Sequence, residues 1–213
     1  TWDPDVIEEV GKMIGHEMLE FGVAWWLAPG MNIHRNPLCG RNFEYYSEDP
    51  LIAGKIAAAM TKGVQSIPGI GTTIKHYAAN NQEDNRQFSN SILSERTLRE
   101  IYLRGFEIAV KESQPMCIMT SYNLINGVPA ANNTDLITTA LRGEWDFQGI
   151  VMTDWTTTSF GSATPHKCAE AGNDLIMPGH QIDVDDITKA LADGSLDRTK
   201  AVDCVARLIT VLF

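Results

Sequence analysis

Cysteine, basic charge and long apolar runs are all scarce in this chain, and each shortage excludes a class of protein. The four cysteines, Cys39, Cys117, Cys168 and Cys204, lie no closer than 36 positions to one another. That leaves no CxxC, no zinc-ribbon spacing and too little sulfur for a disulfide scaffold, so buried thiols in a reducing compartment are expected. Lys and Arg number 17 against 27 Asp and Glu, a formal charge of −10. A nucleic-acid binder needs the opposite balance, and so does a protein docking on an anionic membrane. The longest apolar run, Gly22 to Pro29, is far short of the roughly 20 residues of a membrane-spanning helix. The N-terminus, Thr1-Trp2-Asp3-Pro4, has no basic flank, no signal core and no initiator Met. The chain therefore reads as a processed product or excised piece, with a cytoplasmic location expected. His16, His34, His76, His166 and His180 share no ligand spacing and no HExxH occurs, so neither a metal nor another cofactor is expected. Gly69-Ile70-Gly71 lacks the third glycine of a dinucleotide loop and precedes a strand rather than following one. Ser121 lacks the flanking glycines of a nucleophile elbow.

What is present is regular alternation. Asp3-Pro4 is a cap-and-proline helix start, followed at helical spacing by Val6, Ile7, Val10, Met13, Ile14 and Met18. Val23 to Ala28 reads as a buried strand closed by Pro29-Gly30. Asp49-Pro50 starts a second helix, carried by Ile52, Ile56, Met60 and Val64. Strands are predicted at 72–77, 116–121, 149–153 and 174–177, and helices from Ser94, over 134–145, over 162–171, near Asp183 and from Asp197. In the last of these, Val202, Val205, Ile209 and Leu212 form one stripe.

One helix followed by five βα units with continuous apolar strands means a parallel sheet covered by helices. Lys75-His76, Ser121-Tyr122-Asn123 and Asp154-Trp155 all fall at strand C-terminal ends. Polar residues contributed by several strand ends favour a TIM-type (β/α)8 barrel over a doubly wound sheet. A closed barrel needs eight strands in about 250 residues, and five are legible. The expectation is one partial barrel over residues 1–213, with its first strands missing. Open edges invite pairing, so upstream sequence in the natural protein is expected, or pairing with another chain, a homo-oligomer included.

Two long loops follow strands and share one face. Pro29 to Asp49 carries His34, Arg41, Glu44, Tyr45 and Tyr46, and Ala78 to Asn90 carries Asn80, Asn81, Glu83 and Arg86. Amides, carboxylates, Arg and aromatics suit neutral, hydroxyl-rich ligands. Asp154, after an apolar strand and before Trp155, suits nucleophilic attack on a sugar carbon, but Asp after a strand is also a common helix cap. On a regular strand only one of Lys75 and His76 faces the interior. Asn132-Asn133-Thr134 is a glycosylation sequon, relevant only in a secreted protein.

These residues carry a resemblance that runs almost end to end. Ala28 to Pro37, Gly40 to Pro50, Lys75-His76-Tyr77, Ser94 to Leu103, Ser121-Tyr122-Asn123 with Asn126-Gly127-Val128-Pro129, Val151 to Trp155 and Ala171 to Gly179 resemble, in order, the motifs of glycoside hydrolase family 3, β-glucosidase type. Thr153 stands where the nucleophile motif usually has Ser. The resemblance implies that Asp154 forms a glycosyl–enzyme intermediate in retaining hydrolysis of terminal β-D-glucosyl residues. It implies that Arg41, Lys75 and His76 bind the sugar's hydroxyls, that Tyr122 sits near the nucleophile, and that Trp155 walls the pocket. The partner is then a β-glucoside or oligosaccharide. The acid/base carboxyl is expected from a second domain missing here, which would impair the chain by itself. After Lys75-His76-Tyr77 the loop lacks the GHG of the N-acetylglucosaminidase branch. A β-xylosidase or α-L-arabinofuranosidase is the enzyme alternative, and a degenerate carbohydrate-binding barrel the other.

Overall fold

The computed structural model describes residues 2–213. Four parallel strands form one sheet: β1 (Trp25–Trp26), β2 (Gly71–Tyr77), β3 (Cys117–Thr120) and β4 (Ile150–Thr153), side by side in chain order. Six α-helices of at least seven residues flank them: α1 (Pro4–Glu20), α2 (Pro50–Gln65), α3 (Arg104–Ser113), α4 (Pro165–Ala171), α5 (Gln181–Asp193) and α6 (Arg198–Leu212). A wide-turned π-type helix, Asp135–Glu144, lies between β3 and β4. The predicted caps close their helices: Asp3 accepts the Asp5 N–H at 3.0 Å, Asp49 that of Leu51 at 2.7 Å, and Asp197 that of Thr199 at 2.8 Å. Among the described residues no helix is long and apolar enough to cross a membrane.

Strand alternation splits the core in two. Ile74, Tyr77, Ile118 and Val151 meet Phe106, Ile137, Leu141 and Trp145 on the helix side. Cys117, Met119, Ile150 and Met152 face the other way, against Trp25, Leu27 and Leu175. Helices α1 and α2 approach closely because Gly11 and Gly15 leave room: a Cβ on Gly11 would stand 2.7 Å from the Met60 carbonyl, and one on Gly15 2.8 Å from that of Val64.

The structure departs from the sequence-based expectation in four places. The predicted strand at 174–177 is reduced to one parallel bridge between Met152 and Leu175. Asp174 turns inward instead, accepting from the Val151 N–H at 2.8 Å and from Arg142 and Arg207, each at 2.6 Å. The stripe Val202, Val205, Ile209 and Leu212 faces outward, and α6 packs through Cys204, Leu208 and Val211. Val6, Val10 and Met13 of α1 are likewise exposed, while Ile7, Ile14 and Met18 pack inward. A small three-stranded sheet of Asn90–Ser91, Leu124–Ile125 and Val128–Pro129 has no counterpart in the sequence-based elements. The sequon asparagine, Asn132, is already committed: it accepts from the Thr164 N–H at 2.9 Å and donates to the Thr164 carbonyl at 3.0 Å. All four cysteines are buried free thiols, and burial pushes Cys117 and Cys168 up to about 12 and Cys204 to about 11.

Candidate active site

Lys75, His76, Tyr122, Asp154 and Trp155 stand at or just beyond the C-terminal ends of strands, and Arg41 on the long loop after β1. Asp154 follows β4 directly and is 6% exposed. Its Oδ1 accepts the Trp155 N–H at 2.7 Å, and its Oδ2 lies 3.6 Å from His76 Nε2. Thr153, on the preceding position, accepts the Met177 N–H through Oγ1 at 3.0 Å, and Thr156 donates its N–H to the Met177 carbonyl at 2.8 Å. A serine hydroxyl could make the same bond at position 153, so Thr there leaves the turn intact.

Lys75 and His76 lie in the last three residues of β2. Pairing with β3 shifts between Lys75 and Tyr77, so His76 is the extra residue of a bulge. A bulge breaks the two-residue alternation and re-aims side chains. Ile74 and Tyr77 therefore both join the helix-side core, while Lys75 and His76 are both charge-coupled or in contact with Asp154. The regular-strand rule had allowed only one of them inward. His76 is 1% exposed, and burial holds its ring well below the ordinary histidine value, helped by Arg41, Lys75 and Arg86. Burial also lowers Lys75, against the opposing pull of Glu44 and Asp154.

The loop after β1 supplies Arg41, which donates from Nε to Glu44 Oε1. Gly30 makes room for this loop: a Cβ there would meet Glu44 Oε2 at 2.8 Å and the Tyr45 ring at 2.9 Å. Tyr122, beyond β3, donates its hydroxyl to the Trp155 carbonyl at 2.7 Å and also lies against the Asp154 carboxylate. Burial lifts the phenol to about 12, and the Asp154 charge adds to that. Burial likewise raises Asp154, opposed by the Trp155 N–H bond, by the adjacent Tyr122 hydroxyl and by the charges of Arg86 and Arg41. Trp155 is 48% exposed, in contrast to the buried Asp154 beside it.

All six residues singled out in the sequence thus belong to one neighbourhood. Two more join them that sequence reasoning left without a role. Arg86 lies 4.6 Å above the Tyr122 ring and is paired with Glu83 at 3.0 Å. Asn32 hydrogen-bonds both backbone groups of His76. Neither place in the site carries a local signal, because Arg86 meets Tyr122 and Asn32 meets His76 across gaps of more than thirty residues. Among the described residues no group of His, Cys, Asp and Glu is arranged to hold a metal ion.

A buried carboxylate flanked by Lys, Arg, His and aromatics lies at the C-terminal edge of the parallel strand layer, the face on which (β/α)8 barrels place their active sites. The model of the glycosyl hydrolase family 3 N-terminal domain matches residues 1–211, and the chain belongs to that family. Its fold class is accordingly the TIM-type (β/α)8 barrel, of which the described strands form an unclosed arc. Beta-glucosidase A of Butyrivibrio fibrisolvens is 51% identical over 177 residues, which is 83% of this chain and 21% of that protein. Thermostable beta-glucosidase B of Acetivibrio thermocellus is 43% identical across 100% of this chain and 28% of that protein. The structure of beta-glucosidase 3B from Thermotoga neapolitana in complex with α-D-glucose superposes with a TM-score of 0.94 at 49% identity, covering 99% of this chain and 30% of that one. The chain therefore spans well under half the length of the relatives it matches.

Proposed function

We propose that the protein hydrolyses terminal, non-reducing β-D-glucosyl residues by retaining double displacement, with Asp154 as nucleophile. The observation that carries this reading is the Asp154 carboxylate itself: buried, held by the Trp155 N–H on one oxygen and facing His76 Nε2 with the other. An attacking carboxylate needs a fixed direction and a charge kept available. The backbone bond supplies the first, and Arg86, Arg41 and Lys75 support the second. Lys75, Arg41 and the ring N–H of a neutral His76 are donors suited to sugar hydroxyls, and such bonds strengthen as the oxocarbenium-like state forms. Trp155, half exposed, suits stacking on a sugar face.

Retention also requires an acid/base carboxyl about 5–5.5 Å from the nucleophile. The acid/base on this reading comes from sequence that the relatives have and this chain does not span.

The test is mass spectrometry after incubation with 2,4-dinitrophenyl 2-deoxy-2-fluoro-β-glucoside, whose leaving group needs no acid. A glycosyl adduct on a peptide containing Asp154, lost in Asp154→Asn, is the expected result. An adduct on another residue, or the same adduct in Asp154→Asn, would overturn the assignment. A second reading, action on a pentose, has one observation in its favour: an exo-α-(1→6)-L-arabinopyranosidase of Bifidobacterium breve is 48% identical over 92% of this chain. The matching 2-fluoro-α-L-arabinopyranosyl probe, run in parallel, distinguishes the two by relative trapping rate.

A further inference from the structure

Asn32 is 3% exposed and sits on the segment leaving β1. Its Nδ2 donates to the His76 carbonyl at 2.9 Å, and its Oδ1 accepts the His76 N–H at 2.8 Å. One amide thus satisfies both backbone groups of the bulge residue, which has no paired position on β3. Left unpaired, those two buried groups would each cost the free energy of a lost hydrogen bond. The clamp also governs the ring. Asn32 Oδ1 lies 3.4 Å from His76 Nδ1, and so does the Tyr45 hydroxyl, whose ring meets the imidazole edge-on. With its backbone and Nδ1 side held from the loop after β1, the imidazole has one direction left for Nε2, toward Asp154 Oδ2 at 3.6 Å.

We propose that Asn32 is the positioning residue of this site: by clamping both backbone groups of His76 it fixes the imidazole edge that faces Asp154. The inference rests on the reading of Asp154 as nucleophile. A role limited to closing the bulge would need only some partner for the two backbone groups. A positioning role makes the ring's titration and the nucleophile's reactivity depend on what occupies position 32. The charged and titratable groups facing His76 are Asp154, Arg41, Lys75, Arg86 and Tyr45, so the ring sees three cations and one carboxylate, with the uncharged Asn32 between its backbone and Nδ1.

The experiment uses the protein at its full natural length, with Asn32→Asp and Asn32→Ala. Asn32→Asp keeps the size and the acceptor for the His76 N–H but removes the donor and adds a charge beside Nδ1. Three quantities are measured: the His76 ring-nitrogen resonances against pH, assigned by their loss in His76→Asn; the trapping rate by the 2-fluoro-glucoside across the same pH range; and the melting temperature. In Asn32→Asp the His76 midpoint is expected to rise by about one pH unit or more, with the acid limb of trapping moving in the same direction. In Asn32→Ala trapping is expected to slow by about 10- to 100-fold at temperatures where the variant remains folded. An unmoved His76 midpoint in Asn32→Asp would overturn the proposal. So would a loss of trapping in both variants that only follows the loss of folded protein, with the pH profile unchanged. Asn32→Ser, which keeps a hydroxyl for the His76 N–H, replaces a variant that does not fold. If the parent is not trapped at any pH, the nucleophile reading fails, while the resonance titration still decides the clamp.

Discussion

Asp154 is a carboxylate placed where a charge is costly, and the cost is visible in its raised pKa, caused chiefly by burial. A folded value above the unfolded one means that the fold is favoured while the group is protonated and loses that contribution as pH rises through the folded value. Ionisation of Asp154 therefore works against the fold. Asp154→Asn is expected to abolish trapping and to raise the melting temperature, by about 2–4 °C for each kcal/mol recovered in a domain of this size; calorimetry of the two proteins side by side checks it. His76 has the opposite sign. Its pKa is held down by burial and three cations, so it contributes stability above the ordinary value of about 6.5 that is lost as pH falls toward the folded value. Urea unfolding of the parent should weaken with falling pH below about 6.5, and less steeply in His76→Gln. Arg86 draws Asp154 down from 4.6 Å above the neighbouring Tyr122 ring. Arg86→Ala should raise the acid limb of trapping and slow it at neutral pH, whereas an effect on leaving-group dependence alone would contradict this role.

At the scale of elements, β4, the strand that leads into Asp154, is held by Asp174. Its carboxylate receives the Val151 N–H and two guanidinium groups, Arg142 from the π-type helix and Arg207 from α6. It has no exposed side-chain surface. Removing one partner of a buried ion pair leaves uncompensated charge and costs about 3–5 kcal/mol. Asp174→Ala is therefore expected to destabilise by that order in urea unfolding and to reduce trapping through β4, although Asp174 is not in contact with the site. A loss below about 1 kcal/mol, the range of an exposed pair, would show that the three bonds are not made together. The contact of α1 with α2 depends in the same way on an absent side chain. Gly11→Val would drive a β-branched group into the Met60 carbonyl, and about 1–3 kcal/mol of overpacking cost is expected.

At the scale of the whole molecule, the sheet remains an open arc: β1 pairs over two residues at one edge, and a single bridge at Leu175 ends the other. Apolar faces on α1 and α6 are exposed beside it. On the proposed mechanism the 213 residues contain the nucleophile and part of the sugar site but not the general acid. General acid catalysis contributes about 10²–10⁴-fold. The 213-residue polypeptide is therefore expected to be trapped by the dinitrophenyl fluoroglucoside at a rate near that of the full-length protein, yet to cleave cellobiose slower by a factor in that range. Equal loss on both substrates would place the defect in the sugar site instead.

Local rules in the sequence determined the α/β alternation, the Asp-Pro caps, the two long loops on one face, with Arg41 on the first of them, and the arrival of Asp154, Lys75 and Tyr122 at strand ends. Each of these is written within a few residues of chain: a cap and its N–H, a strand and the polar residue after it. The motifs, read together, also placed the chain in its family. The tertiary structure alone decided which helix faces are buried, since α1 and α6 carry more apolar residues than one neighbour can cover. It alone decided that the segment at 174–177 gives up strand pairing to an inward carboxylate. It alone brought Arg86 over Tyr122 and Asn32 onto His76. A bulge that turns Lys75 and His76 to the same side depends on how β2 registers with β3, and register is a relation between segments more than forty residues apart, on which no local pattern bears.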